Sequence, residues 1–357
     1  MSATPLPTDI LLLILDAIDD EPESQPTLRA CALTCRLLSR VAQARLFGDI
    51  YLGHTVDELS AFTRTIHEST HIAAMVNTLS IYMDYGAIDD FPMPPHVVAQ
   101  LTGLQSARLG NSRDTYHNSA IVFSFFKLFG SLTTLTDVTF ASISFPNLAE
   151  MIRLVWSFPF VQSFTLENCY IEAASPRSYT IPDPNAYPGH CRNLRSLSWL
   201  EMFIPLDLSL PIWGARVTTL TVVANRYEAQ GVIVNISGTS PFPRLEYLEL
   251  DLLDRPLGLT ADVIRYLATD SLRRITVRHV IYHRYNFDEG RVLDLVATKF
   301  RQIKLDSLLS EGVLRRLERL LWNCSHVGVR QFVALGDHIR AMVPNATRRG
   351  VFVVEES

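Results

Sequence analysis

A short pattern recurs along most of this chain and constrains its fold more than any other feature: apolar, two variable residues, apolar, one variable residue, apolar. Copies begin at Val76, Leu104, Leu135, Val161, Leu194, Val217, Leu245, Leu272 and Phe300, spaced by 23 to 33 residues. Leu245, Leu248 and Leu250, and then Leu272, Ile275 and Val277, display it most clearly. The closing alternation is that of a strand with one buried face. A single copy, with one strand and one returning helix or irregular connection, cannot bury its apolar edge alone, whereas stacked copies can. A curved parallel array is therefore expected. The 357 residues, 48% hydrophobic and 19% charged, suffice for a large core.

The pattern resembles the strand segment of leucine-rich repeats, and the resemblance implies an α/β solenoid over residues 76–357 with a curved parallel sheet. The Asn or Cys that turns the chain after such a strand occurs only sporadically, at Asn111 and at Asn168 with Cys169. Residues 173–190 hold prolines 176, 182, 184 and 188, so they read as an insertion leaving the array. Residues 307–342 read as one or two closing helices, and Val351 to Val354 as a last strand. Aligning the last copies places Tyr247, Arg274 and Gln302 in one row across neighbouring strands. Glu249, Thr276 and Lys304 follow in the next row, and Asp251, Arg278 and Asp306 in a third. Arg278 between two aspartates is expected to be consumed structurally. Arg274, beside an aromatic and an amide, is left free for an acidic or phosphorylated group, or to stack on Tyr247. Tyr247, Arg274 and Lys304 are the expected target-binding residues.

The N-terminal fifty residues have a different character. Thr8 is placed to cap a helix in which Ile10, Leu11, Leu12, Leu13, Ile14 and Leu15 cover every side. One face cannot bury six such residues, so this helix is expected to dock on its own domain and on a partner. An acidic, proline-containing loop, 19–26, follows, and Thr27 is placed to cap a second segment whose apolar positions are Cys31, Cys35, Leu38, Ala42 and Leu46. Cys31 and Cys35 then stand one turn apart as core thiols, with no second ligand pair to make a zinc site.

Leu6 with Pro7, Asp9 with Ile10, Ile14 with Leu15, then Leu28, Cys31, Cys35 and the closing Arg45, Leu46 and Phe47 together resemble the F-box. With the diverged repeats behind it, the whole chain resembles fungal F-box proteins. The resemblance implies three short helices over residues 1–50, a linker helix over 51–75, and binding of a Skp-type adaptor of a cullin-RING ubiquitin ligase. Leu6, Pro7, Ile10, Ile14, Leu28, Cys31 and Leu38 inherit the adaptor-binding role. Leu38 and Phe47 stand where many family members carry tryptophan. The implied function is substrate recognition in a Skp-cullin-F-box ligase with an unknown protein target; the alternative is a repeat scaffold that recruits no ligase.

A net charge of -5 and a pI near 6.1 lack the basic excess that phosphate-backbone binding requires, so nucleic acid is not an expected partner. Five irregularly spaced cysteines suit reduced thiols in the cytoplasm or nucleus. No run has the length of a membrane span, and the first apolar run lacks the basic flank of a signal peptide. His67, Glu68 and His71 match a zinc-peptidase pattern, the remote alternative. The glycine and third histidine of the extended motif are absent, and Asp89 and Asp90 lie downstream at a possible distance for a third ligand. No phosphate loop or serine elbow occurs, and neither a cofactor nor a catalytic residue is expected.

Overall fold

A computed structural model describes residues 7–19, 24–34, 36–53, 55–83, 93–111, 120–171, 191–202, 213, 215–224, 240, 242–252, 261–280, 301, 304–325 and 329–356. Among these residues there are twelve helices and thirteen strands. The strands are β1 (Asp49–Leu52), β2 (Thr78–Met83), β3 (Ser106–Asn111), β4 (Asp137–Ala141), β5 (Ser144–Phe145), β6 (Ser163–Glu167), β7 (Tyr170–Ile171), β8 (Ser196–Met202), β9 (Thr219–Ala224), β10 (Tyr247–Leu252), β11 (Arg274–Val280), β12 (Arg319–Ser325) and β13 (Phe352–Glu356). Eleven of them form one parallel sheet in the order β1-β2-β3-β4-β6-β8-β9-β10-β11-β12-β13, while β5 pairs with β7. The fold is therefore α/β with a large parallel sheet. It divides into two compact units, Met1–Thr115 with Ser119–Val138, and Tyr116–Asn118 with Thr139–Ser357.

The recurring pattern explains the strands. Each of its first eight copies begins two residues before a strand, from Val76 ahead of β2 to Leu272 ahead of β11. Its three apolar positions are buried throughout, as Leu104, Ala107 and Leu109 or Leu245, Leu248 and Leu250 illustrate. The carbonyl of the second residue starts the ladder by accepting two N–H groups from the next strand: Gln105 from Thr136 and Asp137, Arg195 from Thr218 and Thr219, Glu246 from Arg273 and Arg274. A turn closes ahead of the first apolar residue, as Leu104 N–H donates to Leu101 O and Leu245 N–H to Phe242 O.

In the first unit, α1 (Thr8–Asp19), α2 (Ser24–Ala32) and α3 (Arg36–Gly48) pack together around Leu15, Leu28 and Ala42, with Ile18, Cys31, Leu38, Val41 and Leu46 against them. The carbonyl of Pro7 accepts from Ile10 and Leu11 N–H at 3.1 and 3.2 Å, which closes the first turn of α1. The second helix starts at Ser24, before the expected cap at Thr27. Pro26 is tolerated there because first-turn N–H groups have no intrahelical acceptor. A turn at Leu33 and Thr34, whose hydroxyl donates to Cys31 O at 2.8 Å, ends α2, so the segment from Leu28 to Leu46 is two helices. Cys31 lies in the last turn of α2, and Cys35, its expected neighbour on one helix face, lies outside the described residues.

The expected linker helix at 51–75 is preceded by β1, which pairs in parallel with β2. A helix over Val56–Glu68 follows, with Thr55 accepting the Glu58 N–H at its N-terminus, and then a short helix over Thr70–Ala73. Leu59, Phe62, Ile66 and Ala73 form their buried face. Gly103 is required by close packing: a Cβ there would collide with the Ala74 carbonyl.

In the second unit, Phe140, Phe158 and Phe164 pack edge to face, with centroids 5.2 to 6.3 Å apart, and Trp199 packs on Trp213 at 5.6 Å. Ser142 and Asn168, just past β4 and β6, both take left-handed backbone (φ 54 and 51), and the Asn168 amide donates to the Ser142 hydroxyl at 3.2 Å. The signal at Asn168 and Cys169 thus marks a turn into β7. The insertion at 173–190 lies outside the described residues.

The last copy of the pattern departs from expectation. Phe300 and Ile303 lie outside the described residues, and Leu305 to Ser310 is a helix that buries Leu305, Leu308 and Leu309 at helical spacing. The strand beside β11 is β12, with Leu317 two residues ahead of it and Leu320 and Trp322 within it buried, so a strand interrupts the closing helices expected over 307–342. The last strand expected at Val351 to Val354 is β13, Phe352–Glu356, paired in parallel with β12. The helices 305–310 and 344–348 end alike. Gly312 (φ 76) and Gly350 (φ 68) let the next residue's N–H reach back to Leu308 O at 3.0 Å and Ala346 O at 3.1 Å. Among the described residues no helix is long and apolar enough to cross a membrane.

Candidate functional site

Two surfaces offer chemistry, one in each unit. The first is built on α1. Leu15 enters the core of the helix cluster, and the ion pair between Arg45 on α3 and Asp16 fixes the rotation of α1. That rotation leaves Ile10, Leu13 and Ile14 exposed at 42%, 62% and 45%, on neighbouring positions of one stripe that continues to the exposed Pro7. Leu33, in the turn after α2, is 89% exposed. Fully burying one large apolar side chain is worth about 1.5–3 kcal/mol, so a partner covering this half-exposed stripe gains roughly 3 kcal/mol from three residues.

Of the expected adaptor-binding residues, Leu6 lies outside the described residues, and Pro7, Ile10 and Ile14 are exposed. Leu28 is at 2% exposure inside the cluster, so its contribution is structural. Cys31 and Leu38 are half-buried and pack against the core. Leu13 and Leu33 complete the exposed apolar set. Sequence spacing could have found Leu13, three residues after Ile10, but not Leu33, whose exposure depends on where α2 stops.

The second surface is the face of the sheet opposite the core, in the second unit. Register aligns Ser163, Ser196, Thr219, Tyr247, Arg274 and Arg319 in one row. The next row holds Thr165, Ser198, Thr221, Glu249, Thr276 and Leu321. The expected neighbours Tyr247 with Arg274 and Glu249 with Thr276 are therefore as read. The third members differ: Arg319, Leu321 and Asn323 stand where Gln302, Lys304 and Asp306 were expected. Lys304 is at the left-handed N-cap of the 305–310 helix (φ 50), off the strand face. Asp306 instead accepts the Asn345 and Ala346 backbone N–H at 2.8 and 3.2 Å and the Asn345 amide at 2.9 Å.

Glu249, almost fully buried, organises this face. Its Oε1 receives Arg278 Nε at 2.7 Å, and its Oε2 accepts the Tyr247 phenol at 3.1 Å. The phenol oxygen lies 3.0 Å from the Thr276 hydroxyl. A carboxylate this buried is stable only with such compensation. Arg278 is thus consumed structurally, as expected, but by Glu249 in the adjacent row. Tyr247 is a hydrogen-bonded anchor in place of a bare stacking surface. Burial, followed by the Glu249 charge and hydrogen bond, pushes its phenol above the ordinary value of 10, while Thr276 and Arg278 act against that shift. Arg274 is exposed and its guanidinium forms no ion pair or hydrogen bond with any described residue; Arg319, its register partner, is paired with Glu355.

The strand face of the first unit carries its own cluster. Tyr51, Ser80 and Arg108 share a row, the Arg108 Nε donates to the Tyr82 hydroxyl, and the Tyr51 and Tyr82 rings lie 5.3 Å apart. The β1 strand that presents Tyr51 was not expected from sequence, so this cluster was missed.

The zinc-peptidase pattern is not assembled. Its helix ends at Glu68, Ser69 breaks the backbone (φ -136, ψ 78), and His71 belongs to the next helix, so the two histidines do not share one uninterrupted turn. His67, Glu68 and His71 are all exposed, and His67 packs edge to face on His96 at 5.4 Å. Asp89 and Asp90 lie outside the described residues. No group of three or more His, Cys, Asp or Glu able to hold a metal ion occurs among the described residues. Comparison with family models and with curated proteins finds no match.

Proposed function

We propose that this chain is a substrate-recognition subunit of a Skp-cullin-F-box type ubiquitin ligase, working in the cytoplasm or nucleus. The three N-terminal helices act as an F-box that grips a Skp-type adaptor, and a leucine-rich-repeat-like solenoid holds a protein target on its strand face. The observation that carries this reading is the division of labour on α1. Leu15 closes a core with Leu28 and Ala42, while Ile10, Leu13 and Ile14 keep their apolar surface outside. A stripe of that kind has a cost in water and a gain on a partner. The adaptor-facing set is then Leu6, Pro7, Ile10, Leu13 and Ile14, with Leu33 beside α2 and with Cys31 and Leu38 as partial contributors.

Co-expression with a Skp-type adaptor and co-purification tests it. Wild type is expected to retain the adaptor stoichiometrically and an Ile10→Ser, Leu13→Ser, Ile14→Ser variant to lose it while keeping its helical circular dichroism. Equal retention by both overturns the hook. A repeat scaffold that recruits no ligase is the second reading, favoured by the strand face being organised by Glu249 without reference to the helices. Cullin in the wild-type pulldown decides for the ligase, and adaptor without cullin decides for the scaffold.

A further inference from the structure

Arg274 and Arg319 are in register on adjacent strands of the second unit, so both arginines leave the same face of the sheet, exposed and away from the core. Like charges directly opposite one another across a strand pair are unfavourable, and an anion between them relieves the repulsion. The neighbouring cations each have an anion: Arg278 has Glu249, Arg273 has Glu318 and Arg319 has Glu355. Arg274 alone of these four has none among the described residues. The acceptors closest along the face are spent, because Glu249 already takes Arg278 and the Tyr247 phenol, and Thr276 is engaged with that phenol. Arg319 is held by Glu355 through one nitrogen, and a guanidinium has five N–H donors, so it keeps donors for a second acceptor.

Resting on the assignment of this face to target binding, we propose that Arg274 and Arg319 form an anion-binding site for a carboxylate or phosphoryl group carried by a peptide segment of the partner. Paired planar guanidinium groups match the oxygen spacing of both anions. The hydroxyl groups of Thr219, Ser196 and Ser163 continue the same row and suit a chain of neutral acceptors beside the anion. The overall charge of -5 disfavours a long polyanion, whose remaining charges would be repelled, and favours a short acidic segment. Glu249 and its hydrogen bonds fix Tyr247, the register neighbour of Arg274, so little order has to be created there on binding.

The test uses the full chain and three degenerate peptide pools that differ only in a fixed central residue: phosphoserine, glutamate or serine. Wild type is expected to retain an anionic pool at least about fivefold above the serine pool at low salt. Retention of phosphoserine alone assigns a phosphoryl ligand, and retention of both anionic pools shows that a carboxylate suffices. Arg274→Gln should lower anionic retention to the serine level, a fall of about fivefold or more. Glu355→Gln, which releases Arg319 from its partner, should raise it, a gain that misfolding cannot produce. Equal retention of all pools by wild type, or anionic retention unchanged in Arg274→Gln, overturns the site. Displacement of the peptides by random single-stranded RNA at equal concentration overturns the peptide assignment. Adaptor capture should be unaffected by Arg274→Gln; if wild type discriminates the pools yet captures no adaptor, the ligase reading falls and the anion site stands.

Discussion

The helix cluster and the strand face solve opposite problems. In the cluster the core is small, three buried side chains with partly buried neighbours around them, the Arg45 and Asp16 pair ties α3 to α1, and Ile10, Leu13 and Ile14 leave apolar area at the surface. On the strand face the core beneath is complete, and what is left at the surface is charge, most of it already answered within the protein. In the proposed function the first arrangement would supply affinity by area and the second selection through Arg274, whose guanidinium has no partner among the described residues. The difference teaches that exposed apolar residues and unpaired charges are separate signatures and have to be sought by separate accounting: burial for one, partners for the other.

The comparison breaks most severely if the cluster's core is emptied. Leu28→Ala should cost about 2–5 kcal/mol in denaturant unfolding of the cluster, because it deletes a buried side chain from a small core. A cost below about 1 kcal/mol would mean that Leu28 is accessible after all.

On the strand side, alkaline pH should weaken the second unit. Burial raises the Cys169 and Cys191 thiols from 9 to about 12 in the folded chain. Their neutral form is thus favoured by folding, so this contribution is complete below pH 9 and is lost as pH climbs from 9 towards 12, at about 1.4 kcal/mol per thiol per pH unit. Chemical denaturation at pH 8 and pH 10 should show the loss, and Cys169→Ala should reduce the slope; an unchanged slope refutes the assignment.

A smaller effect, about 1–3 kcal/mol, is expected from Asp306→Ala, which leaves three donors of the 344–348 helix start without their acceptor. Arg278→Gln should cost a similar or smaller amount by leaving Glu249 with the phenol alone. The smallest effect on stability per side chain, about 1 kcal/mol each, is expected from Ile10→Ser, Leu13→Ser and Ile14→Ser, since these side chains are already half in water. A large loss of stability would place them in the core and remove the contrast between the two surfaces.

Much of the sheet was legible because a strand's burial pattern is local. Leu272, Ile275 and Val277 announce β11 whatever surrounds them, and the register of neighbouring copies follows from stacking like on like. The misreading at Phe300 shows where locality ends. Leu305, Leu308 and Leu309 also fit a helical period, and Lys304 takes a left-handed turn that no extended chain follows. The true strand, with Leu317, Leu320 and Trp322, carries one more mark, an apolar residue three positions earlier at Leu314, just as Leu101, Leu132, Phe158 and Phe242 precede other copies. Applying that longer pattern would have placed Arg319, not Gln302, beside Arg274. The strand β1 was hidden because Asp49 to Leu52 is too short to show a period.

By itself the sequence determined that apolar positions would alternate into a parallel sheet and that the first helix would have more oil than it could hide, since both follow from spacing along a few consecutive residues. Only the tertiary structure decided that Leu15 and Leu28 turn inward while Ile10, Leu13 and Ile14 stay out, and that Glu249 neutralises Arg278 while Arg274 is left beside Arg319. Those outcomes depend on helix rotation, on where α2 ends and on which strand lies next to β11. Each is set by packing between segments distant in the chain, where burial and ion pairing compete over the same few ångströms and no local pattern records the winner.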